Sequence, residues 1–105
     1  QLKDEHQLGL LTQQLMEEIP LHVVTLCVAG NCYSLARDSR MSTQMLHRAT
    51  CVDRHFAYAH TLYGYELLAS DEKGLAEAAF LQAIARDNRH YTAYGGLGEL
   101  ALRRQ

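Results

Sequence analysis

Three glycines stand at one fixed interval. Gly30, Gly64 and Gly98 are each separated by 34 residues, in surroundings that agree: Ala29-Gly30-Asn31, Tyr63-Gly64-Tyr65, Leu97-Gly98-Glu99. A second register repeats at the same interval, pairing Ser42 with Ala76, Leu46 with Phe80, Ala49 with Ala83 and Asp53 with Asp87. A period of this length means one supersecondary unit stacked on copies of itself, because such a unit cannot bury its apolar face alone. With 1 proline in 105 residues, the repeating unit is helical rather than a series of tightly turned strands.

An interval of 34 residues is the period of the tetratricopeptide repeat, a pair of antiparallel helices. A glycine inside a helix costs about 1 kcal/mol of propensity. Its recurrence in register therefore needs a packing reason, and close approach of the paired helices supplies one. Counted from Val23, the repeat's packing positions are Gly30, Tyr33, Ser42, Leu46 and Ala49; counted from Ala57 they are Gly64, Leu67, Ala76, Phe80 and Ala83. Ser42 and Ala76 are the small residues expected to face the glycines, with Leu46 and Phe80 as the large knobs between helices. Counted from Tyr91, only a first helix remains, with Tyr94, Leu97, Gly98 and Ala101.

The expected organisation is one all-α, right-handed solenoid segment. Repeats cover 23–56 and 57–90, residues 91–105 form the first helix of a further repeat, and residues 1–20 form the second helix of a preceding one. Helices are expected at about Asp4–Glu18 (stopping before Pro20), His22–Ala36, Ser39–Val52, His55–Ala69, Asp71–Arg86 with Ser70 as its cap, and His90–Arg104. The turn that commonly carries proline has Arg54 and Asn88 instead, and Asn tolerates strained backbone there. Leu97, Leu100 and Ala101 are expected to face nothing. The chain thus reads as part of a longer solenoid, sticky or oligomeric when isolated. The missing initiator Met fits a fragment or a processed chain.

Charge and cysteine content remove several classes of function. Ten Lys and Arg against 12 Asp and Glu give a net charge of −2. That is no basic face for phosphates and speaks against nucleic-acid binding. No apolar run is long enough to span a membrane, and the polar start QLKDEHQLGL is not a signal peptide. Cys27, Cys32 and Cys51, an odd set without framework spacing, read as reduced thiols buried as small hydrophobes in an intracellular protein. His47 and Cys51 share a helix face, but no second ligand pair completes a zinc site, so no metal or cofactor is expected. Glu17 with Glu18, and Asp71 with Glu72, are adjacent surface or helix-start charges that do not converge as an acid–base pair. No oriented base accompanies a cysteine nucleophile. The chain is therefore not expected to be an enzyme.

The first helix of each repeat lines the concave face of such a solenoid. Its inward positions give Val24, Cys27, Asn31, Ser34 and Leu35, then Tyr58, Thr61, Tyr65, Leu68 and Ala69, then Thr92, Gly95, Glu99, Leu102 and Arg103. A peptide with a free carboxylate needs donors for its end and a pocket for its side chain. Asn31 offers an amide to a peptide backbone, and Glu99 a bidentate partner for an arginine. The alternatives are packing roles: Asn31 tied to a neighbouring helix, Glu99 a solvated charge, Tyr58 and Tyr65 filling between helices. A basic clamp for acidic tails is missing, since its positions hold Cys27, Thr61 and Gly95, and Asn31, Tyr65 and Glu99.

Three stretches resemble a particular family. Ala29-Gly30-Asn31-Cys32-Tyr33-Ser34-Leu35, the run from Phe56 to Glu66 and the run from Asn88 to Gly98 are similar to segments of the scaffold subunits of the anaphase-promoting complex called cell-division-cycle protein twenty-seven. The matches include Cys32, Thr61, Arg89 and His90, which the generic repeat does not require. They run without gaps from about Leu2 to the end. Departures are Arg54 and Asn88 in place of prolines, and no Trp near Leu26. The resemblance implies a non-catalytic subunit of a ubiquitin ligase, nuclear and cytoplasmic. It implies partners among the complex's other subunits, and a groove in the C-terminal repeats for Ile-Arg tails of coactivators and of the receptor subunit. Homodimerisation would use N-terminal repeats outside this chain. The alternative is a generic tetratricopeptide adaptor, cochaperone-like or another scaffold subunit of the same complex.

Overall fold

A computed structural model of the chain describes Leu10 and residues 22–105. The helix expected over Asp4–Glu18 lies, apart from Leu10, outside the described residues. Five helices follow: α1 Val23–Leu35, α2 Ser39–Val52, α3 Ala57–Ala69, α4 Lys73–Arg86 and α5 Tyr91–Arg103. Their first and last residues recur at intervals of 34, from Val23 to Ala57 to Tyr91 and from Ser39 to Lys73. No strand occurs among the described residues. The architecture is an all-α tetratricopeptide solenoid.

Local chemistry sets the helix ends. The Asp38 carboxylate accepts the Met41 N–H at 3.2 Å and caps α2. At the end of α1 the Asp38 N–H reaches the Tyr33 carbonyl at 2.9 Å and the Arg37 N–H that of Ser34 at 3.0 Å. At the end of α3, Glu72 N–H reaches Leu67 at 2.8 Å and Asp71 N–H reaches Leu68 at 3.0 Å. Both are Schellman closures. Each places a non-glycine residue in the left-handed region, Arg37 at φ 61 and Asp71 at φ 62. This corrects the expected start of the fourth helix. Ser70 closes α3, donating its N–H to Glu66 and Leu67, and α4 begins at Lys73. Arg37→Gly relieves a left-handed side chain at no loss of hydrogen bonding. It should stabilise the chain by about 1 kcal/mol in urea unfolding. An unchanged midpoint would show that Arg37 is unstrained.

The turns without proline are held by aspartates instead. The Asp53 carboxylate accepts the His55 N–H at 3.1 Å, and the Asp87 carboxylate accepts the Arg89 N–H at 3.0 Å. These Asx turns fix the chain between second and first helices, the task expected of Asn88.

The recurrent glycines do make room, but for side chains. A Cβ on Gly30 would lie 2.6 Å from Leu46, and one on Gly64 2.7 Å from the Phe80 ring. Ser42 and Ala76, fully buried, are not the nearest neighbours of those glycines. The Ser42 hydroxyl instead donates to Glu66 at 3.0 Å. Gly98 departs from the expectation, with nothing among the described residues within 4 Å of its would-be Cβ. The knob that fills this space lies sixteen residues after Gly30 and Gly64, a position beyond Gln105 for Gly98. Gly96, unremarked by the period, takes that role on α5: its Cβ would sit 2.4 Å from Phe80. Leu100 is likewise buried and Leu97 half-buried against the core, so these two are seated rather than unpartnered, while Ala101 stands exposed as expected.

Among the described residues the core falls into two clusters. One gathers Leu26, Cys27, Ala29, Met45, Ala49 and Ala59; the other Leu67, Leu68, Ala76, Phe80, Ala83 and Leu100 with their neighbours. Tyr33 packs against the first. Between them, the Arg54 carbonyl takes hydrogen bonds from His60 Nε2 at 3.0 Å and from Arg86 Nε at 2.8 Å. This ties the turn after α2 to α3 and α4. Burial holds the His60 pKa below its ordinary 6.5; the nearby Arg86 charge adds to this, and the Arg54 carbonyl opposes it. The unfolded chain then binds the proton more readily than the folded one. His60's share of stability is therefore complete above about pH 6.5 and lost as pH falls below it. His60→Gln, which keeps a donor for Arg54, should flatten the fall in stability between neutral and mildly acidic pH. An identical slope in both proteins would exclude His60 as its source.

Candidate concave groove

Packing order decides which face is inner. α1 packs on α3 and α3 on α5, whereas no Cα of α2 comes within 8 Å of one in α4. First helices crowded together and second helices spread apart curve the solenoid toward α1, α3 and α5. The residues expected to line this groove divide into three groups.

Asn31 and Ser34 on α1 and Tyr58 on α3 stand exposed, and Val24 and Leu35 beside them are exposed apolar residues. Tyr58 packs edge-on against His90, at 6.3 Å between ring centroids, and against Phe56 at 6.1 Å. The His90 Nε2 is buried with no hydrogen-bond partner among the described residues. His90 was carried only by the resemblance, and nothing in the repeat period marks it.

Tyr65, Glu99 and Arg103 join α3 to α5. The Tyr65 hydroxyl donates to the Thr92 carbonyl at 2.9 Å, and its ring meets Phe80 edge-on at 5.0 Å. Burial raises the Tyr65 pKa, and the Glu99 charge raises it further. Arg103 donates to the Leu68 carbonyl at 3.0 Å and lies 3.5 Å from the Glu99 carboxylate, one turn before it. Glu99, read as a free partner for an incoming arginine, is thus already next to a cation of its own helix. The pair is half-exposed, worth about 0.5 kcal/mol, and weak enough for a ligand to displace.

Cys27 and Thr61 do not line the groove. Both are buried, at 5% and 1% exposure, and Cys27 belongs to the first core cluster. Burial pushes the Cys27 thiol up to about 11, so it stays protonated and inert. The reason is geometric: at this position the side chain enters the seam between helices. The expectation of three buried cysteines also divides, since Cys27 is buried, Cys32 half-buried and Cys51 exposed. None forms a disulfide. Cys51 Sγ sits 3.9 Å from His47 Nε2, and no group of three His, Cys, Asp or Glu gathers there or elsewhere among the described residues. No helix among the described residues is long and apolar enough to cross a membrane.

Comparisons with known proteins agree with this architecture and narrow it. The chain is 38% identical over 104 residues to a cell division cycle protein 27 homolog of Caenorhabditis elegans, covering 99% of this chain and 13% of that protein. It is 39% identical to protein bimA of Emericella nidulans over 97 residues, 92% of this chain and 12% of that one. It is 34% identical to anaphase-promoting complex subunit 3 of Schizosaccharomyces pombe over 96 residues, 91% of this chain and 14% of that one. The chain therefore spans 12% to 14% of the length of these relatives. No protein-family model matches it. Among solved structures, the tetratricopeptide domain of Arabidopsis OM64 superposes with a TM-score of 0.87 at 14% identity, covering 96% of this chain and 84% of that one. The first tetratricopeptide domain of Spaghetti, bound to the HSP90 peptide SRMEEVD, gives a TM-score of 0.80 at 13% identity over 88% of this chain and 73% of that one. These two likenesses establish the fold alone.

Proposed function

The chain belongs to the cell division cycle protein 27 family of anaphase-promoting complex subunits, and on that premise we propose that it is a non-catalytic scaffold segment whose concave groove docks C-terminal Ile-Arg tails. The observation that carries the reading is identity of 34% to 39% with members of this family along 91% to 99% of the chain. Its work is positioning. Rigid helices hold neighbouring subunits of the complex and seat coactivator and receptor-subunit tails, while the ligase chemistry lies in other subunits. The setting is nuclear and cytoplasmic.

Three groove features suit such a tail. The Asn31 amide is exposed for a peptide backbone or terminal carboxylate. The apolar Val24 and the Tyr58 ring offer a seat for the isoleucine. Glu99 can exchange Arg103 for the arginine of the tail at little cost, because the internal pair is half-exposed. The second reading, an adaptor for acidic tails like the HSP90 peptide held by the Spaghetti domain, needs a basic row. Asn31, Tyr65 and Glu99 provide none.

The test is fluorescence polarisation with the full-length protein and three peptides: one ending in Ile-Arg, its C-terminal amide, and one ending in Glu-Val-Asp. The Ile-Arg acid should bind best, and Asn31→Ala should weaken it about tenfold, the loss of one hydrogen bond to a charged group. Preference for the Glu-Val-Asp peptide would transfer the chain to the adaptor reading. Equal binding of acid and amide would remove the carboxylate from the mechanism.

A further inference from the structure

Glu99 and Arg103 set two opposite charges one turn apart near the end of α5. Arg103 is anchored: its Nη1 donates to the Leu68 carbonyl at 3.0 Å, which leaves Nη2 toward Glu99 at 3.5 Å. Both side chains keep about half their surface in solvent, 45% for Arg103 and 48% for Glu99. The Glu99 charge raises the Tyr65 pKa, so it acts across the groove on α3. Among the described residues Glu99 supplies the carboxylate within 4 Å of Arg103, and Glu77 on α4 is taken by Arg104 at 3.2 Å. Seating a tail arginine on Glu99 therefore leaves two guanidinium groups sharing one carboxylate. Like charges that close repel, and a second anion beside Nη2 removes the repulsion. A tail that ends in arginine brings such an anion with it, its own α-carboxylate.

The dimensions agree. Side chains one helical turn apart stand about 5–6 Å apart at their Cβ atoms. The guanidinium and α-carboxylate carbons of one arginine are at most about 7 Å apart. A single C-terminal arginine thus lays its cation on Glu99 and its anion on Arg103, closing a ring of four alternating charges. Asn31 is the other donor available to that carboxylate. It stands on α1, with α3 between it and α5, and no Cα of α1 comes within 8 Å of one in α5. Packed helix axes lie about 8–10 Å apart, so two such steps exceed what one arginine spans. We propose that Arg103 is the specificity-determining residue of the groove: it binds the α-carboxylate of the terminal arginine while Glu99 binds the guanidinium, so that the site accepts a C-terminal arginine and rejects an internal one. This rests on the docking of Ile-Arg tails proposed above, and it assigns Asn31 to the backbone further up the tail.

The test is fluorescence polarisation with the full-length protein and three peptides: one ending in Ile-Arg, its C-terminal amide, and one extended to Ile-Arg-Ala. The unsubstituted protein should bind the acid about tenfold better than either of the others, the worth of one charge-assisted hydrogen bond. Arg103→Gln keeps a donor for the Leu68 carbonyl and removes the cation. It should cut the acid-to-amide ratio below twofold, with the amide bound at least as well as before, because Glu99 is freed. Arg103→Lys should restore the ratio to at least threefold. Asn31→Ala should weaken acid and amide alike and leave the ratio intact. The proposal is overturned if Arg103→Gln weakens both peptides equally, which is what a purely structural tie to Leu68 would do. It is overturned equally if Asn31→Ala collapses the ratio, or if Ile-Arg-Ala binds as well as the Ile-Arg acid. The last two readings need no change at residue 103, so they decide the matter should Arg103→Gln fail to fold. Tight binding of the acid with any of these results removes only the assignment to Arg103. No binding of any Ile-Arg peptide removes the tail reading itself, and this inference with it.

Discussion

Gly96→Leu should destabilise the chain by about 3 kcal/mol, and Phe80→Leu in the same molecule should recover much of that loss. A single methyl on Gly96 would already lie 2.4 Å from the Phe80 ring. The ring has no room to retreat, because it also meets Gly64, where an added Cβ would stand 2.7 Å away, and because Phe80 is wholly buried. Residues 34 earlier show the alternative arrangement, Leu46 in place of Phe80 and Leu62 in place of Gly96. The larger knob is accommodated by the missing side chain on the next helix. Phe80→Leu alone should cost about 1 kcal/mol through the space it leaves. In urea unfolding, the double variant should then lose at least about 1 kcal/mol less than the sum of the single losses. Strict additivity would mean that residues 80 and 96 do not compete for one volume.

Phe80→Ala should be the most damaging single truncation, at about 3–5 kcal/mol. A small domain has roughly 5–15 kcal/mol in total, so much of the margin goes. The damage should be uneven. Phe80 joins α3, α4 and α5 through Gly64, Tyr65 and Gly96, whereas the cluster around Leu26 and Met45 is built from other residues. Solenoid units feel mainly their neighbours. Hydrogen exchange should therefore show amides of α4 and α5 losing at least a hundredfold in protection, with α1 losing less than tenfold. Equal loss along all five helices would show that the two clusters open as one body.

Much of the architecture was legible because it is written at short range. A glycine in helix register, a large residue sixteen positions later and an aspartate at each turn recur in order, and each acts on neighbours within one repeat. The helix ends were less legible. Ser70 looked like a cap by type, but left-handed backbone at Asp71 makes it the end of α3. The groove was legible as a face but not residue by residue. Asn31 and Tyr58 are exposed on it, while Cys27 and Thr61, chosen by the same counting, turn into the seam.

The chain's own letters determined that it folds as paired helices of one period, since the spacing of small and large residues acts within each pair. Only the tertiary structure decided which space each side chain fills. Gly96, outside the period, receives Phe80. A channel lies between α2 and α4 because those helices stand apart. Such outcomes depend on what stacks against a helix from the next repeat, and no local pattern encodes the angle at which it arrives.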